Sequence, residues 1–296
     1  MRGWWRDLTD LVLPTDCAGC GAPRTVLCPR CRGALSGRAP RRVRPVPEPA
    51  GLPVVHAAAP YAEEVRALLL AHKERGALAL AGALGTALAG AVRAGLGGSS
   101  ADVDGAASGG RPGGAAGFRP VLLVPVPSAR WAVRARGHDP VRRMALAAAG
   151  ELRRNGTPAR VAAVLRQRRA VADQAGLDAR QRLANLAGAL EVTAGGERLL
   201  GGGHVVLVDD LITTGASLAE AARVVREVAE ERTRGGTAVY GAVTREGRDE
   251  RRIGARPESG KWVHGAPEKA AVNTLGHALH AAVIAAPRDS FEINRN

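Results

Sequence analysis

Two carboxylates, Asp209 and Asp210, follow directly on the apolar run Val205-Val206-Leu207-Val208. Behind them come Thr213, Thr214, Gly215, Ala216 and Ser217, and then a segment with Leu218, Ala222, Val225 and Ala229 on one stripe. The short β-branched run predicts a parallel strand buried on both faces, and the stripe predicts an amphipathic helix. The order is therefore strand, acid pair, hydroxyl-rich loop, helix N-terminus. Ligands of α/β sheets bind beyond the carboxyl ends of strands, and the free N–H groups of a helix N-terminus suit a phosphate. Gly215 lets the backbone come close, and the hydroxyls of Thr213, Thr214 and Ser217 can donate to phosphate oxygens. The competing account is a capping box, Ser217-x-x-Glu220, on an ordinary helix. It explains Ser217 and Glu220, but not two acids crowded beside a glycine loop.

A second cluster carries different chemistry. All four cysteines of the chain lie in two C-x-x-C pairs, Cys17/Cys20 and Cys28/Cys31, with Gly, Pro and Arg between them. Such pairs can wrap one tetrahedral Zn²⁺ with four thiolates, giving a closed structural site rather than a catalytic one. Disulfides are the alternative. The N-terminus lacks a secretory signal, with Arg6, Asp7 and Asp10 breaking its apolar patch. No uninterrupted apolar run approaches the roughly 20 residues of a membrane span. The expectation is a cytoplasmic protein, where thiols stay reduced.

The elements that must position these groups can be read from pattern. The formal charge is +14, carried almost wholly by arginine, since Lys occurs only at 73, 261 and 269. Residues 118–186 hold fourteen Arg against Asp139, Glu151, Asp173 and Asp178, a local excess of +10 that suits a polyanionic ligand. Trp4, Trp5, Leu8, Leu11 and Val12 predict a short N-terminal helix, docked on the protein or on a partner. Residues 1–36 thus form a helix and knuckle, and the Arg- and Pro-rich 37–53 reads as a linker. Residues 54–59 predict a strand, followed by helices over 62–75 and 77–93. His56 and His72 read as packed or surface histidines. The Gly/Ala/Ser-rich stretch 95–117 predicts a flexible insertion.

Residues 121–126 predict a buried strand ending in Pro127-Ser128, then an arginine loop (Arg130, Arg134, Arg136) closed by Gly137. Asp139-Pro140 opens a helix that ends at Asn155-Gly156. Further strands are predicted over 161–165, 188–192 and 237–244. Alternating strands and helices imply an α/β fold, a mostly parallel sheet with helices on both faces. Between the third and fourth strands lies a long polar stretch with Arg166, Arg168, Arg169, Arg180 and Arg182. It reads either as a lid closing over an anion or as a solvated loop. The domain is placed at 54–246, and 247–296 is a tail with a helix around 267–286.

Taken together, the motifs resemble those of the ComF (ComF/GntX) family of competence and DNA-uptake proteins, which pair a zinc knuckle with a type I phosphoribosyltransferase domain. The resemblance covers roughly residues 5–246. It rests on the double C-x-x-C, the strand end Val124-Pro125-Val126-Pro127 with Arg136-Gly137, the lid signature and VVLVDDLITTGAS. The lid signature reads Gln174-x-Gly176-Leu177, Arg182-x-x-Asn185 and Gly188-Ala189. The chain has His138-Asp139-Pro140 where the family shows Phe-Asn-Gln, and Ala179 where its lid shows an arginine. Where the family tends to show Lys-x-Arg-Gly, it has His72-Lys73-Glu74-Arg75-Gly76.

The resemblance implies a site for Mg²⁺–phosphoribosyl pyrophosphate or a related ribose phosphate. Asp209 and Asp210 would hold the ribose hydroxyls and the Mg²⁺ water shell, since Mg²⁺ prefers oxygen ligands and retains waters. Thr213–Ser217 would cradle the 5′-phosphate. Pro127, Ser128, Arg136 and the lid residues Arg168 and Arg182 would hold the leaving pyrophosphate. Zinc and magnesium are the implied metals, and single-stranded DNA and DNA-uptake proteins the implied partners. Three roles stay open: an active phosphoribosyltransferase, a nucleic-acid-binding uptake factor, or a sensor that binds the ligand without turnover. Few aromatic residues stand in the basic segment, which weighs against a stacking groove for a single strand.

Overall fold

The computed structural model describes residues 16–101, 119–171, 178–243 and 279–292. Its elements in chain order are α1 (Pro29–Ser36), β1 (Arg41–Val43), β2 (Val54–Pro60), α2 (Glu63–Glu74), α3 (Ala81–Ala101), β3 (Val121–Pro125), α4 (Arg130–Arg136) and α5 (Pro140–Arg154). They continue with β4 (Ala159–Val161), β5 (Leu165–Gln167), α6 (Ala179–Leu186), β6 (Leu190–Val192), α7 (Gly196–Leu200), β7 (His204–Leu211), α8 (Ala216–Val243) and β8 (His280–Ala286). The main sheet has six strands in the order β1-β2-β8-β7-β3-β4. Every pairing is parallel except that of β1 with β2. Strands β5 and β6 pair antiparallel as a separate two-stranded unit.

Helices cover both faces, as an α/β sheet of apolar strands requires. On one face α2, α3 and α5 bury Leu68, Leu84, Leu88, Met144 and Leu152 against Val206, Val208 and Ile284. On the other, α8 packs Leu218, Ala222 and Val225 against Leu122, Val205, Leu207 and Val283. Helices α3 and α5 touch closely because Gly85 has no side chain: a Cβ there would stand 2.4 Å from that of Ala147. Over Leu78–Gly97 the chain is helical, long and apolar enough to match a membrane span by length and composition, yet half of that window is buried inside the protein.

Several expectations are corrected. The segment read as a linker contributes edge strand β1, whose Val43 is buried. The stretch taken as a flexible insertion is helical through Ala101, and 102–117 lies outside the described residues. The arginine loop after β3 folds as the short helix α4. The strand expected over 161–165 is split between β4 and β5, because the chain leaves the main sheet after Val161.

The largest correction concerns the end of the chain. Residues expected to form a strand over 237–244 instead continue α8 through Val243, with Thr244 outside the described residues. The missing strand is β8, drawn from the tail where a helix was expected. It lies in the middle of the sheet between β2 and β7, and all its residues after His280 are buried. An apolar run buried on both faces carries no period-2 signal, so HAAVIAA reads equally as helix. The predicted N-terminal helix lies outside the described residues.

Candidate functional site

Strand β7 ends one residue after Asp210, in register beside β3, where Pro125 pairs with Val208. The two loops that leave these neighbouring strands therefore rise together. Between them opens a cleft of about 400 Å³ lined by Asp209, Asp210, Thr213, Ser217, Pro127, Ser128 and Arg136, together with Lys73, Glu74 and Trp131. The structure thus brings residues from three separate sequence motifs to one cavity. Its size falls in the range usual for small-molecule sites, roughly 300–1,000 Å³.

Alternation along β7 sends the two acids to opposite faces. Asp210 shares the side of Val206 and Val208, and Asp209 that of Val205 and Leu207. Asp210 is buried and meets Lys73 at the end of α2, with Nζ 2.9 Å from Oδ2. Burial works against the charge on Lys73, but the carboxylate of Asp210 outweighs it and lifts the lysine above its usual pKa. Asp209 accepts the backbone N–H of Asp210 at 2.8 Å. Burial, and then the negative charge of Asp210, push the Asp209 carboxyl well above the ordinary aspartate range. The pair is thus one neutralised carboxylate beside one that resists ionisation, a setting that a divalent cation would reverse.

The phosphate-type loop has the conformation its residues foretell. Gly215 adopts φ +75°, and a Cβ there would meet Leu52 and Pro49 at 3.1–3.3 Å. Thr214 Oγ1 lies 3.5 Å from the N–H of Ala216, the first residue of α8, so Thr214 faces the helix end. Thr213 and Ser217 line the cleft, while Thr214, Gly215 and Ala216 form the turn behind it. The capping-box alternative loses its second half. Glu220 is buried and spends both oxygens on Arg223, at 2.7 and 2.8 Å, with the N–H of Leu190 at 3.4 Å.

Few of the arginines that crowd residues 118–186 converge on this cleft. Arg136 lines it, but its guanidinium is held by Glu74 through a two-pronged contact at 2.7 and 2.8 Å. Arg182 reaches Thr213 from α6 at 3.4 Å, and its Nε is buried without a partner. Arg168 lies along another groove, beside Glu191, Glu197 and Arg223. Arg166 pairs with Glu191 across the β5–β6 ladder, and Arg169 donates to the carbonyls of Asn185 and Ala187. The arginines of this polar stretch are thus split, with Arg182 at the cleft and Arg168 away from it. Gln174, Gly176 and Leu177 of the same stretch lie outside the described residues. Its second half forms α6, opened by a reciprocal cap between Asp178 and Gln181.

Lys73, Glu74 and Trp131 escaped the sequence reading as site residues. Lys73 could have been found, being one of only three lysines and preceding Arg75-Gly76. Two histidines lock the α2 end in place. His138 sets Nε2 3.2 Å from the carbonyl of His72, and His72 sets its own Nε2 3.4 Å from that of Pro140. Asp139 accepts the N–H of Arg142 at 3.0 Å and serves as the α5 cap, as its sequence position before Pro140 predicts.

The four cysteine sulfurs all lie within 4.8 Å of one another, with Cys20 and Cys28 Sγ 3.5 Å apart. A tetrahedron with metal–sulfur bonds of about 2.3 Å has edges of about 3.8 Å, so the cluster fits a metal ion. Burial raises the Cys17 thiol, but the backbone N–H groups of Cys28, Cys20 and Gly19 more than reverse this and bring it down to about 6. A ready thiolate is what a metal requires. Burial pushes the Cys31 thiol the other way. Cys17, Cys28, Cys31 and Leu35 belong to the same apolar core as α2 and α3, so the knuckle is welded to the sheet domain. No protein-family model matches this chain, and no curated protein matches it.

Proposed function

We propose that the cleft binds Mg²⁺–phosphoribosyl pyrophosphate, or a related ribose phosphate, and that the protein is a phosphoribosyltransferase of the ComF kind, acting in the cytoplasm in DNA uptake. One observation carries this reading: the acid pair, the hydroxyls of Thr213 and Ser217 and the Pro127-Ser128 turn share one cavity at the carboxyl ends of β3 and β7. A 5′-phosphate at the start of α8 would leave the ribose over the end of β7, beside both carboxylates. In the transfer, the bond from ribose C1 to pyrophosphate breaks and pyrophosphate departs with the electron pair. The acceptor's lone pair forms the new bond to C1, and the acceptor's proton goes to solvent. Asp209 and Asp210 favour the positive charge that builds on the ribose, and Lys73 and Arg136 the negative charge that builds on the leaving group. Magnesium, held through its waters by Asp209 and Asp210, would supply neutralisation of the pyrophosphate. Zn²⁺ is the metal proposed for Cys17, Cys20, Cys28 and Cys31, in a structural role. Arg136, tied to Glu74, also supports a second reading, a sensor that holds the ligand without turnover.

Asp209→Asn combined with Asp210→Asn keeps the shape and leaves neither group able to ionise toward a cation. Mg²⁺-dependent binding of phosphoribosyl pyrophosphate should fall by at least about tenfold, or about 1.4 kcal/mol. Calorimetric titration with and without Mg²⁺ checks this. Equal affinities, or no binding by the wild type, would overturn the proposal.

A further inference from the structure

Between the end of α4 at Arg136 and the start of α5 at Pro140 stands His138, half-buried. Both of its ring nitrogens face backbone carbonyl oxygens. Nδ1 lies 3.1 Å from that of Arg136, and Nε2 3.2 Å from that of His72. A carbonyl oxygen only accepts, and a neutral imidazole carries a single N–H. The neutral ring therefore satisfies one contact and turns a lone pair against the other oxygen, whereas the imidazolium satisfies both. His72 stands in the same relation to the carbonyls of Ala77 and Pro140, each at 3.4 Å. It differs in being buried. Burial holds its pKa below the usual histidine range despite those oxygens, and the charges of His138 and Arg143 add to the effect. The two rings lie 5.9 Å apart, a separation at which one positive charge opposes a second. Of the two, the half-buried ring is the one placed to take a proton.

We propose that His138 is a positioning residue, a proton-dependent clasp that ties the end of α2 to the end of α4 and so fixes Lys73 and Arg136 where they line the cleft. Its effect on ligand binding rests on the ribose-phosphate reading of that cavity. His138 does not line the cleft, whereas Lys73, Glu74 and Arg136, which carry or adjoin the two carbonyls it holds, all do. The charged groups about the ring are Lys73 and Glu74 on α2, Arg136 on α4, and Asp139, Arg142 and Arg143 at the start of α5. Lys73 is paired with Asp210 and Arg136 with Glu74, and the carboxylate of Asp139 adjoins His138 in the chain, so the cations do not stand unopposed. Imidazole ordinarily changes charge between about pH 5 and 8. The clasp therefore closes toward the acid end of that range and loosens toward the alkaline end, where the ring holds only one of its two oxygens.

The test uses the full-length protein, first without ligand. Nuclear magnetic resonance follows the His138 ring and the backbone amides of Lys73 and Gly137 across the imidazole range, from about pH 5 to 8. The amides should shift along the same curve as the ring, and in His138→Phe, which keeps a planar ring without nitrogens, they should hold still. Affinity for Mg²⁺–phosphoribosyl pyrophosphate is then titrated over the same range for the wild type, His138→Phe and His138→Gln. Dividing wild type by variant cancels the protonation of the ligand itself. That ratio should reach about tenfold at the acid end, the scale of a hydrogen bond from a charged donor, and fall toward one at the alkaline end. His138→Gln, polar but uncharged, should match His138→Phe, and it carries the comparison if the phenylalanine variant melts earlier. A merely structural ring gives the same ratio at every pH. A constant ratio, or amides that ignore the ring, would overturn the inference. If the ligand binds in an acid-pair-dependent way while the ratio stays constant, only the inference fails. If it binds the wild type at no pH, the ribose-phosphate reading fails, and the clasp stands or falls on the amide shifts.

Discussion

At Asp209 burial carries an electrostatic cost. A carboxyl pushed up by burial and by a like charge destabilises the fold whenever it must ionise. Above the ordinary aspartate pKa the unfolded chain has lost that proton while the native protein still holds it. Stability therefore falls as pH rises from about 3.8 through the higher native value. Asp209→Asn can keep its contact with the N–H of Asp210 and carries no charge. Without ligand it should melt a few degrees above the wild type at pH 7, about 2–4 °C for each kcal/mol recovered in a domain of this size. The gain should shrink as pH falls from the higher native value toward 3.8 and be absent below it. Thermal melts of both proteins across pH would check this, and a lower melting temperature for the variant at pH 7 would contradict it. Saturating Mg²⁺ with ligand should invert the order, because only the aspartate can use the cation.

At the scale of elements, α6 and the β5–β6 ladder decide which arginines matter. On β5 neighbouring positions point apart, so Gln167 lines the cleft while Arg166 is tied to Glu191, and Arg168, just past the strand, lies along the groove that Glu191 also lines. The helix opened by Asp178 instead turns Arg182 toward Thr213. Arg182→Ala should weaken ribose-phosphate binding by about tenfold, the scale of a hydrogen bond to a charged group. Arg168→Ala should change it by less than about twofold. Equal losses from the two changes, measured by titration with phosphoribosyl pyrophosphate, would show that the stretch acts only as a diffuse positive field. Polar composition marked this region as special, but the sense in which it turns was not legible, because the choice depends on which strand β5 pairs with.

For the whole molecule, the decisive element is the one farthest along the chain. With β8 between β2 and β7, removing residues 247–296 splits the sheet through its centre and uncovers Val283 and Ile284, both fully buried. Each such side chain contributes about 1.5–3 kcal/mol by burial, a large share of a net stability of about 5–15 kcal/mol. A chain ending at residue 246, where the sequence pattern closes the domain, should therefore give no cooperative melt and no native-like near-ultraviolet dichroism. A cooperative transition in that fragment would show β8 to be dispensable. The knuckle is bound into the same whole, since Arg30 on α1 pairs with Glu64 on α2 at 2.7 Å and Leu35 is buried in the shared core.

The sequence by itself determined the local units: the strand carrying Asp209 and Asp210, the glycine turn at Gly215, the Asp139 cap and the paired cysteines. Each depends on contacts within a few residues, and so each is visible as spacing. Tertiary structure decided what those units meet. Lys73 lies 137 positions from Asp210, and Glu74 lies 62 from Arg136. Nothing in a local pattern can announce such pairs, because the sheet order that joins them is set by the packing of its two faces. The same holds for β8: a strand buried on both sides loses the alternation that would identify it. Only its neighbours, β2 and β7, distinguish it from a helix.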